Sequence, residues 1–145
     1  MNVDPVELAA QLADEVDGQI RTDKPLAPFT SYKIGGPTAV WVAPATQVGL
    51  ARALEVIHEK KAPLFILGRG SNLLVSDHGW DGVTLYLGEN FSNSTFDRRQ
   101  ARVLAGTLLM DLIRAAVKRG LSGLELLAGI PWGVGGALRM NAGAF

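Results

Sequence analysis

Along residues 4–17 the apolar side chains Ala9, Leu12, Ala13 and Val16 return at every third or fourth position, which is the spacing of one helix face. Asp4 stands before the run as an N-cap, Pro5 suits a first turn, and Glu7 completes a capping box. Gly18 marks the expected end. Residues 21–37, RTDKPLAPFTSYKIGGP, lose this period and hold three prolines and two glycines, which predicts an extended connection. A connection of that length in a compact domain is commonly functional. The run TAVWVA (38–43) predicts a first strand, and Thr46 caps a helix reaching about Lys60 with Leu50, Leu54 and Ile57 on one face. PLFIL (63–67) is the second strand, so that strand–helix–strand order predicts a parallel pair with a crossover helix. A short strand at 73–75, a turn at DHGWDG (77–82) and a strand VTLYL (83–87) follow. Residues 89–105 predict a hairpin turning at DRRQ (97–100). Thr107 is the expected cap of a helix over 108–119, with Leu109, Leu112, Ile113 and Ala116 inward and Gly120 as its stop.

Two glycine-bearing loops interrupt this pattern. LFILGRGSNLLV (64–75) inserts Gly68, Arg69, Gly70, Ser71 and Asn72 between apolar runs. Glycines there permit positive φ and close approach of a ligand. Successive backbone N–H groups in such a turn form an anion-binding nest, to which Ser71, Asn72 and Arg69 add donors and charge. The loop lacks the Gly-Lys-Ser/Thr of a Walker loop. It also has Leu73 where the dinucleotide fingerprint has its third glycine, and no helix follows. A plain glycine turn between strands remains an alternative. The second loop, GIPWGVGGALRMNAGA (129–144), places Gly133, Gly135 and Gly136 ahead of a short helix-like stretch, with Arg139 and Asn141 as further donors. Two such loops are suited to gripping one pyrophosphate from two sides, and close backbone packing is the competing explanation of their glycines.

Composition narrows the classes. At 145 residues the chain is the size of one domain. Its 14 basic and 14 acidic residues cancel, which argues against a broad nucleic-acid or anionic-membrane footprint. With no cysteine, disulfides, thiolate metal sites, iron–sulfur clusters and cysteine-linked cofactors are excluded. No apolar run approaches the ~20 residues that span a bilayer, and the acidic N-terminal segment is unlike a secretory signal. A cytoplasmic location is the expectation. The sequence ends at Phe145 on an apolar, glycine-rich stretch without capping or charged residues, which predicts a piece of a longer protein, natural or made.

Three blocks, PFTSYKIGGP (28–37), LGRGSNLLVSDHGWDGV (67–83) and GLSGLELLAGIPWGVGGALRMNAGAF (120–145), together resemble the UDP-N-acetylenolpyruvoylglucosamine reductase (MurB) family in order and spacing. The resemblance runs from about residue 21 to the end. It implies an α/β (α+β) fold: an FAD-binding domain of the p-cresol methylhydroxylase and vanillyl-alcohol oxidase type, two small α/β subdomains with FAD between them. The chain would then divide into an N-terminal helix (1–20) and an FAD-binding domain (21–145) whose substrate-binding and catalytic partner is absent.

On the same resemblance, Gly68, Arg69, Gly70, Ser71, Asn72 and Leu73 line the FAD pyrophosphate. Ile130, Pro131, Gly133, Val134, Gly135, Gly136 and Ala137 match the family's second loop. Asn141, Ala142 and Gly143, within NAGA (141–144), lie near the flavin, and Tyr32, Lys33 and Ile34 border the same site. Trp132 and Gly133 depart from the family's usual Gly-Thr, so a position that needs positive φ would be strained by Trp132. The implied activity is NADPH-dependent, flavin-mediated reduction of UDP-N-acetylglucosamine enolpyruvate to UDP-N-acetylmuramate. That reaction serves peptidoglycan precursor synthesis, and hence cell-wall biogenesis, cell shape and division. FAD is held non-covalently, NADPH donates hydride, and a UDP-sugar is the substrate, with no nucleic-acid or membrane partner. The family's catalytic serine, arginine and glutamate come later than Phe145, so none is assigned here.

The remaining polar residues have simpler readings. His78 and His58 fit a surface turn and a helix edge, without a second metal ligand at suitable spacing. Asp77 and Asp81 fit turn chemistry, Trp41 and Trp80 fit packing, and Glu125 is placed to cap or orient the second loop. Two other functions compete with the first: a flavoprotein of the same fold oxidising a small alcohol or hydroxy acid, and a non-catalytic module whose glycines serve packing alone.

Overall fold

The computed structural model describes residues 1–143. The chain divides into two compact units, Met1–Asn90 and Phe91–Phe145, and each is mixed α/β.

The first unit contains α1 (Pro5–Glu15), β1 (Gly18–Pro25), β2 (Pro37–Pro44), α2 (Gln47–Glu59), β3 (Leu64–Leu67) and β4 (Trp80–Tyr86). The four strands form one sheet in the order β1-β2-β4-β3, with β1 antiparallel to β2 and both β2 and β3 parallel to β4. Asp4 caps α1 by accepting from the Val6 and Glu7 amides at 2.7 and 3.2 Å. Among the described residues no return bond from Glu7 to the Asp4 amide completes the box. Thr46 caps α2 by accepting from the Gly49 amide at 3.0 Å.

Alternation along the strands sorts their side chains onto two faces. One face packs Ile20, Val40, Val42, Val83 and Leu85 against Leu8, Ala9, Leu12 and Val16 of the α1 region and Ala53, Val56 and Ile57 of α2. The other gathers Trp41 and Leu67 with Leu26, Phe29, Phe65, Leu73, Val75 and Tyr86. No α-helix of this unit contributes to that second cluster; segments 26–36, with a 3-10 turn at Ala27–Phe29, and 68–79 do, and they overlap the motif blocks 28–37 and 67–83 singled out above.

Several sequence expectations are corrected here. Residues 21–25, expected at the start of the 21–37 connection, belong to β1, which is paired from Gly18↔Pro44 to Pro25↔Pro37. Tertiary pairing overrides the turn-forming composition. Helix α1 ends at Glu15, and Gly18 opens the strand, where a Cβ would stand 2.4 Å from the Ala43 carbonyl oxygen. Leu8 rather than Ala13 completes the α1 stripe. On α2, Ala53 and Val56 face inward while Leu54 is 38% exposed. Strands β2 and β3 are parallel but not neighbours, because β4 inserts between them. The reason is burial: Val83 and Leu85 of β4 are wholly buried, whereas Leu64 and Ile66 of β3 lie on the sheet edge, partly exposed. Residues 73–75 are not a strand; Leu73 and Val75 pack on the second face and Leu74 points outward.

Helices α1 and α2 are tied by Arg52, whose Nε donates to Glu15 Oε2 at 2.6 Å. The Gln11 amide bonds the other carboxylate oxygen at 2.9 Å. The Gln11 bond first, and the Arg52 bond next, hold the Glu15 carboxyl below its ordinary value of 4.5. A depressed carboxyl contributes stability above its unfolded-state value and loses it as pH falls through the folded one. Wild type therefore exceeds Glu15→Gln in urea midpoint at neutral pH, and the difference closes on acidification below pH 4.5. A difference independent of pH contradicts this.

The second unit contains the hairpin β5 (Ser94–Asp97) and β6 (Gln100–Val103), α3 (Leu109–Val117) and α4 (Val134–Arg139). The hairpin is shorter than the sequence predicts and turns at Arg98, whose φ is 50°. Helix α3 buries Leu109, Leu112, Ile113 and Ala116 as expected, against Phe96, Val103, Leu124, Leu127, Ile130 and Trp132. Thr107 is not its cap. The Thr107 hydroxyl donates to the Asn93 carbonyl at 3.0 Å, and Leu108 takes the N-cap position without a side-chain bond. Gly120, at φ 67°, closes the helix through bonds from its own amide to Val117 and from the Leu121 amide to Ala116.

Candidate functional site: an amide cradle beside a cationic cavity

Strand β3 ends at Leu67, and residues 68–72 leave the carboxyl end of this parallel strand, where open α/β sheets place ligands. Gly70 turns the chain with φ 61°. Its carbonyl accepts from the Ser31 amide at 3.1 Å, which docks the loop on segment 27–31. A Cβ at Gly70 would stand 2.0 Å from the Phe29 carbonyl oxygen, so glycine is required by packing as well as by φ. Gly68 is different. Nothing lies within 4 Å of a Cβ built there, and its φ is not in the left-handed region.

Among the described residues, none of the amides of Gly68, Arg69, Gly70, Ser71 and Asn72 donates to a backbone or side-chain acceptor. Five consecutive amides without a protein partner are donors available to an anion, the resource that an anion-binding nest uses.

A cavity of about 230 Å³ opens beside this loop, lined by Pro28, Phe29, Thr30, Ser31, Lys33, Gly68, Arg69 and Tyr86. Arg69 Nε is buried there without a hydrogen-bond partner. An orphaned buried guanidinium nitrogen is costly unless something meets it. Lys33, at φ 57°, donates one ammonium proton to the Pro28 carbonyl at 3.0 Å and keeps two others. Two cations, one of them unsatisfied, next to five free amides are a donor set suited to a diphosphate. Tyr32 and Ile34 flank Lys33 and are 66% and 48% exposed. Tyr86 forms the cavity's aromatic wall, stacked on Trp41 with ring centroids 4.9 Å apart.

The second glycine loop lies in the second unit. Trp132 is not strained: it is absent from the positive-φ residues and packs with Ile130, Val134 and Ala142 on the α3 cluster. Gly133 is the N-cap of α4 with extended φ of −72°. The Val134 amide donates to Thr107 at 2.9 Å and the Gly135 amide to Ala105 at 2.8 Å, so these two are not free for an anion. Gly135 is glycine for packing, since a Cβ would meet the Ala105 side chain at 2.8 Å. Gly136 has open space where a Cβ would stand, and the Gly133 and Gly136 amides carry no partner among the described residues. Ala137 is buried, while Pro131, Arg139, Asn141 and Gly143 are exposed and Ala142 is half-buried. Ala144, the last residue of NAGA, lies outside the described residues, as does Phe145.

Gly136→Ala should therefore stabilise the ligand-free chain by about 0.5 kcal/mol, as alanine does over glycine in a helix. The check is a urea melt; a lower midpoint would mean that something does occupy that space.

Other expected roles are local. The Glu125 carboxylate accepts from the Gly123 amide and is held below its ordinary value by its own and the Gly123 backbone amides, so it caps its own turn rather than the second loop. Asp81 bonds the N-terminal ammonium of Met1. His58 and His78 are exposed. Tyr86, Phe29 and Ser31 also wall the cavity, beyond the residues expected from the sequence. The signal for the last two was present, since both lie in the PFTSYKIGGP block that carries Lys33.

Comparison with known proteins gives the family and the fold. The family model described as an FAD binding domain matches residues 38–145. A UDP-N-acetylenolpyruvoylglucosamine reductase 1 of Bacillus cereus is 40% identical over 138 residues, 95% of this chain and 46% of the relative. A reductase of the same name from Heliobacterium modesticaldum is 42% identical over 134 residues, 92% of this chain and 43% of the relative. The chain thus spans about half the length of the curated relatives it matches. Among solved structures, the MurB of Thermus caldophilus superposes with a TM-score of 0.68 at 41% identity, over 87% of this chain and 42% of that one. A BBE-like 1 protein of Physcomitrella patens superposes with a TM-score of 0.59 at 19% identity, over 93% and 30%, and speaks to the fold alone. The family match over residues 38–145, the agreement of fold and the similarity to these reductases lead to one conclusion: the chain belongs to the FAD binding domain family.

Proposed function

We propose that this chain is the FAD-binding portion of a UDP-N-acetylenolpyruvoylglucosamine reductase. The observation that carries the proposal is the run of five free amides at 68–72 beside the unsatisfied Arg69. Those amides hold the FAD diphosphate, with Ser71 and Asn72 adding side-chain donors. Arg69 and Lys33 supply compensating charge. Leu73 anchors the loop on the sheet, and Tyr32 and Ile34 border the bound cofactor. In the second unit, the Gly133 and Gly136 amides and Asn141 are the proposed polar contacts to cofactor atoms. Ile130, Pro131, Val134, Gly135, Ala137, Ala142 and Gly143 shape that loop.

Bound FAD, held without a covalent link, supplies hydride transfer, with NADPH as donor in the whole protein. The substrate is UDP-N-acetylglucosamine enolpyruvate, the product is UDP-N-acetylmuramate, and the setting is cytoplasmic peptidoglycan precursor synthesis. What this chain's own residues do is bind and orient. Its amides present fixed dipoles that need no reorganisation when the ligand arrives. The catalytic serine, arginine and glutamate are proposed to lie in the remaining half of the relatives' length. The domain division proposed is an N-terminal helix, 1–20, leading into the cofactor-binding part, 21–145.

The test is uptake of FAD by the purified chain, read as visible flavin absorbance that is released on denaturation. Retention supports the proposal. A longer parent that takes up no FAD overturns it. A parent that reduces oxygen with a small hydroxy acid, and not enolpyruvyl-UDP-N-acetylglucosamine with NADPH, points instead to another oxidoreductase of the same fold.

A further inference from the structure

Thr30 is a polar residue in the first unit whose side chain no proposed contact uses, yet it is only 1% exposed. Its hydroxyl lies 3.0 Å from the Ile34 carbonyl and 3.2 Å from the Ala27 carbonyl. Its own carbonyl accepts from the Lys33 amide at 3.2 Å, and its neighbour Ser31 donates to Gly70 at 3.1 Å. Its Cα stands 3.1 Å from where a Cβ at Gly70 would be. One buried hydroxyl, with a single proton to share, therefore lies between the Ala27 carbonyl before the 30–34 turn and the Ile34 carbonyl at its end. That turn carries Lys33 in a left-handed conformation, unusual for a side chain of its size, and its other edge is docked on the amide loop. Left-handed strain of this kind persists only where surrounding bonds over-determine it.

We infer that Thr30 is a positioning residue that sets the turn of Lys33 and the Gly70 segment as one unit for an anionic ligand, so that its hydroxyl, spent on backbone carbonyls, controls diphosphate affinity through its neighbours in the cavity wall. The inference rests on the FAD reading above and adds a residue that touches no ligand. A purely structural role would make Thr30 matter for folding alone. The difference lies in its place between two connections: its hydroxyl bonds within the turn that carries Lys33, and the next residue, Ser31, bonds the Gly70 carbonyl of the amide loop.

The experiment compares wild type, Thr30→Val and Thr30→Ser in the 145-residue chain by FAD titration and by hydrogen exchange. Valine keeps the shape and removes the hydroxyl; serine keeps the hydroxyl. Expected is a roughly tenfold loss of FAD affinity in Thr30→Val, about 1.4 kcal/mol, with Thr30→Ser within about twofold of wild type. A Lys33→Met background should shrink the valine effect, because the part of it that acts through the Lys33 ammonium is then already lost and the two substitutions are not additive. In wild type, FAD should slow exchange of the Ser31 and Lys33 amides, a reading that holds even if the valine variant does not fold. Undiminished affinity in Thr30→Val, an equal loss in Thr30→Ser, or unchanged exchange at Ser31 and Lys33 on FAD addition overturns the inference while leaving FAD binding intact. A wild-type chain that binds FAD nowhere near 68–72 overturns the underlying reading instead.

Discussion

Gly68→Val should weaken FAD binding at least tenfold while leaving the melting temperature of the ligand-free chain within about 2 °C of wild type. The structure separates the two effects at this position. A Cβ at Gly68 meets nothing within 4 Å, and the residue is not in a left-handed conformation, so the fold loses nothing that it uses. A branched side chain there would fill space that no protein atom occupies, at the start of the loop whose amides carry no partner. Each charge-assisted bond to a phosphate oxygen is worth about 1.5–3 kcal/mol, and losing one of them already costs about tenfold. Calorimetric titration and a thermal melt on the same sample check both halves. Normal affinity in Gly68→Val would mean that no ligand approaches the loop from its open side.

Gly70→Val, two residues on, should do the opposite in kind. Here φ is 61° and a Cβ would stand 2.0 Å from the Phe29 carbonyl oxygen. A β-branched residue in that region is strained, and the obstacle is backbone rather than a flexible side chain. The expected cost is about 3 kcal/mol or more, a drop of roughly 6–12 °C in melting temperature for a chain of this length. Destabilisation should appear without any ligand present. A Gly70→Val chain that melts like wild type contradicts the docking of this loop on Phe29 and Ser31. The pair Gly68 and Gly70 therefore separates the two explanations of a glycine, ligand approach and internal packing, within one loop.

That separation was not legible in the sequence. Both residues sit in one GRG triplet, and only the position of segment 27–31 shows which of them has a neighbour. The same holds for Gly135 and Gly136, where Ala105 blocks one and open space faces the other. The helices were legible, because their apolar spacing and caps are local. Asp4 and Thr46 cap as read, and the inward face of α3 is the one the period predicts. Strand β1 was not, because its proline- and glycine-bearing surroundings look like a loop until Pro37–Pro44 supplies a partner. The insertion of β4 between β2 and β3 is likewise a long-range choice, set by which run can be buried on both faces. At the site, the motif blocks pointed to the loop itself. The free amides and the orphaned Arg69 Nε emerge only where segment 27–31 docks on residues 68–72, some forty residues away, and no local pattern encodes that; the Thr30 hydroxyl bonds within its own turn, but its burial is not readable from the sequence.

The central claim is that the backbone amides of residues 68–72 hold the diphosphate of FAD. The most direct measurement is a titration of the isotopically labelled chain with FAD, following backbone amide resonances. The Gly68, Arg69, Gly70, Ser71 and Asn72 amides should move downfield together on saturation, as donors to a charged acceptor do. FAD binding that leaves those five resonances where they were would contradict it.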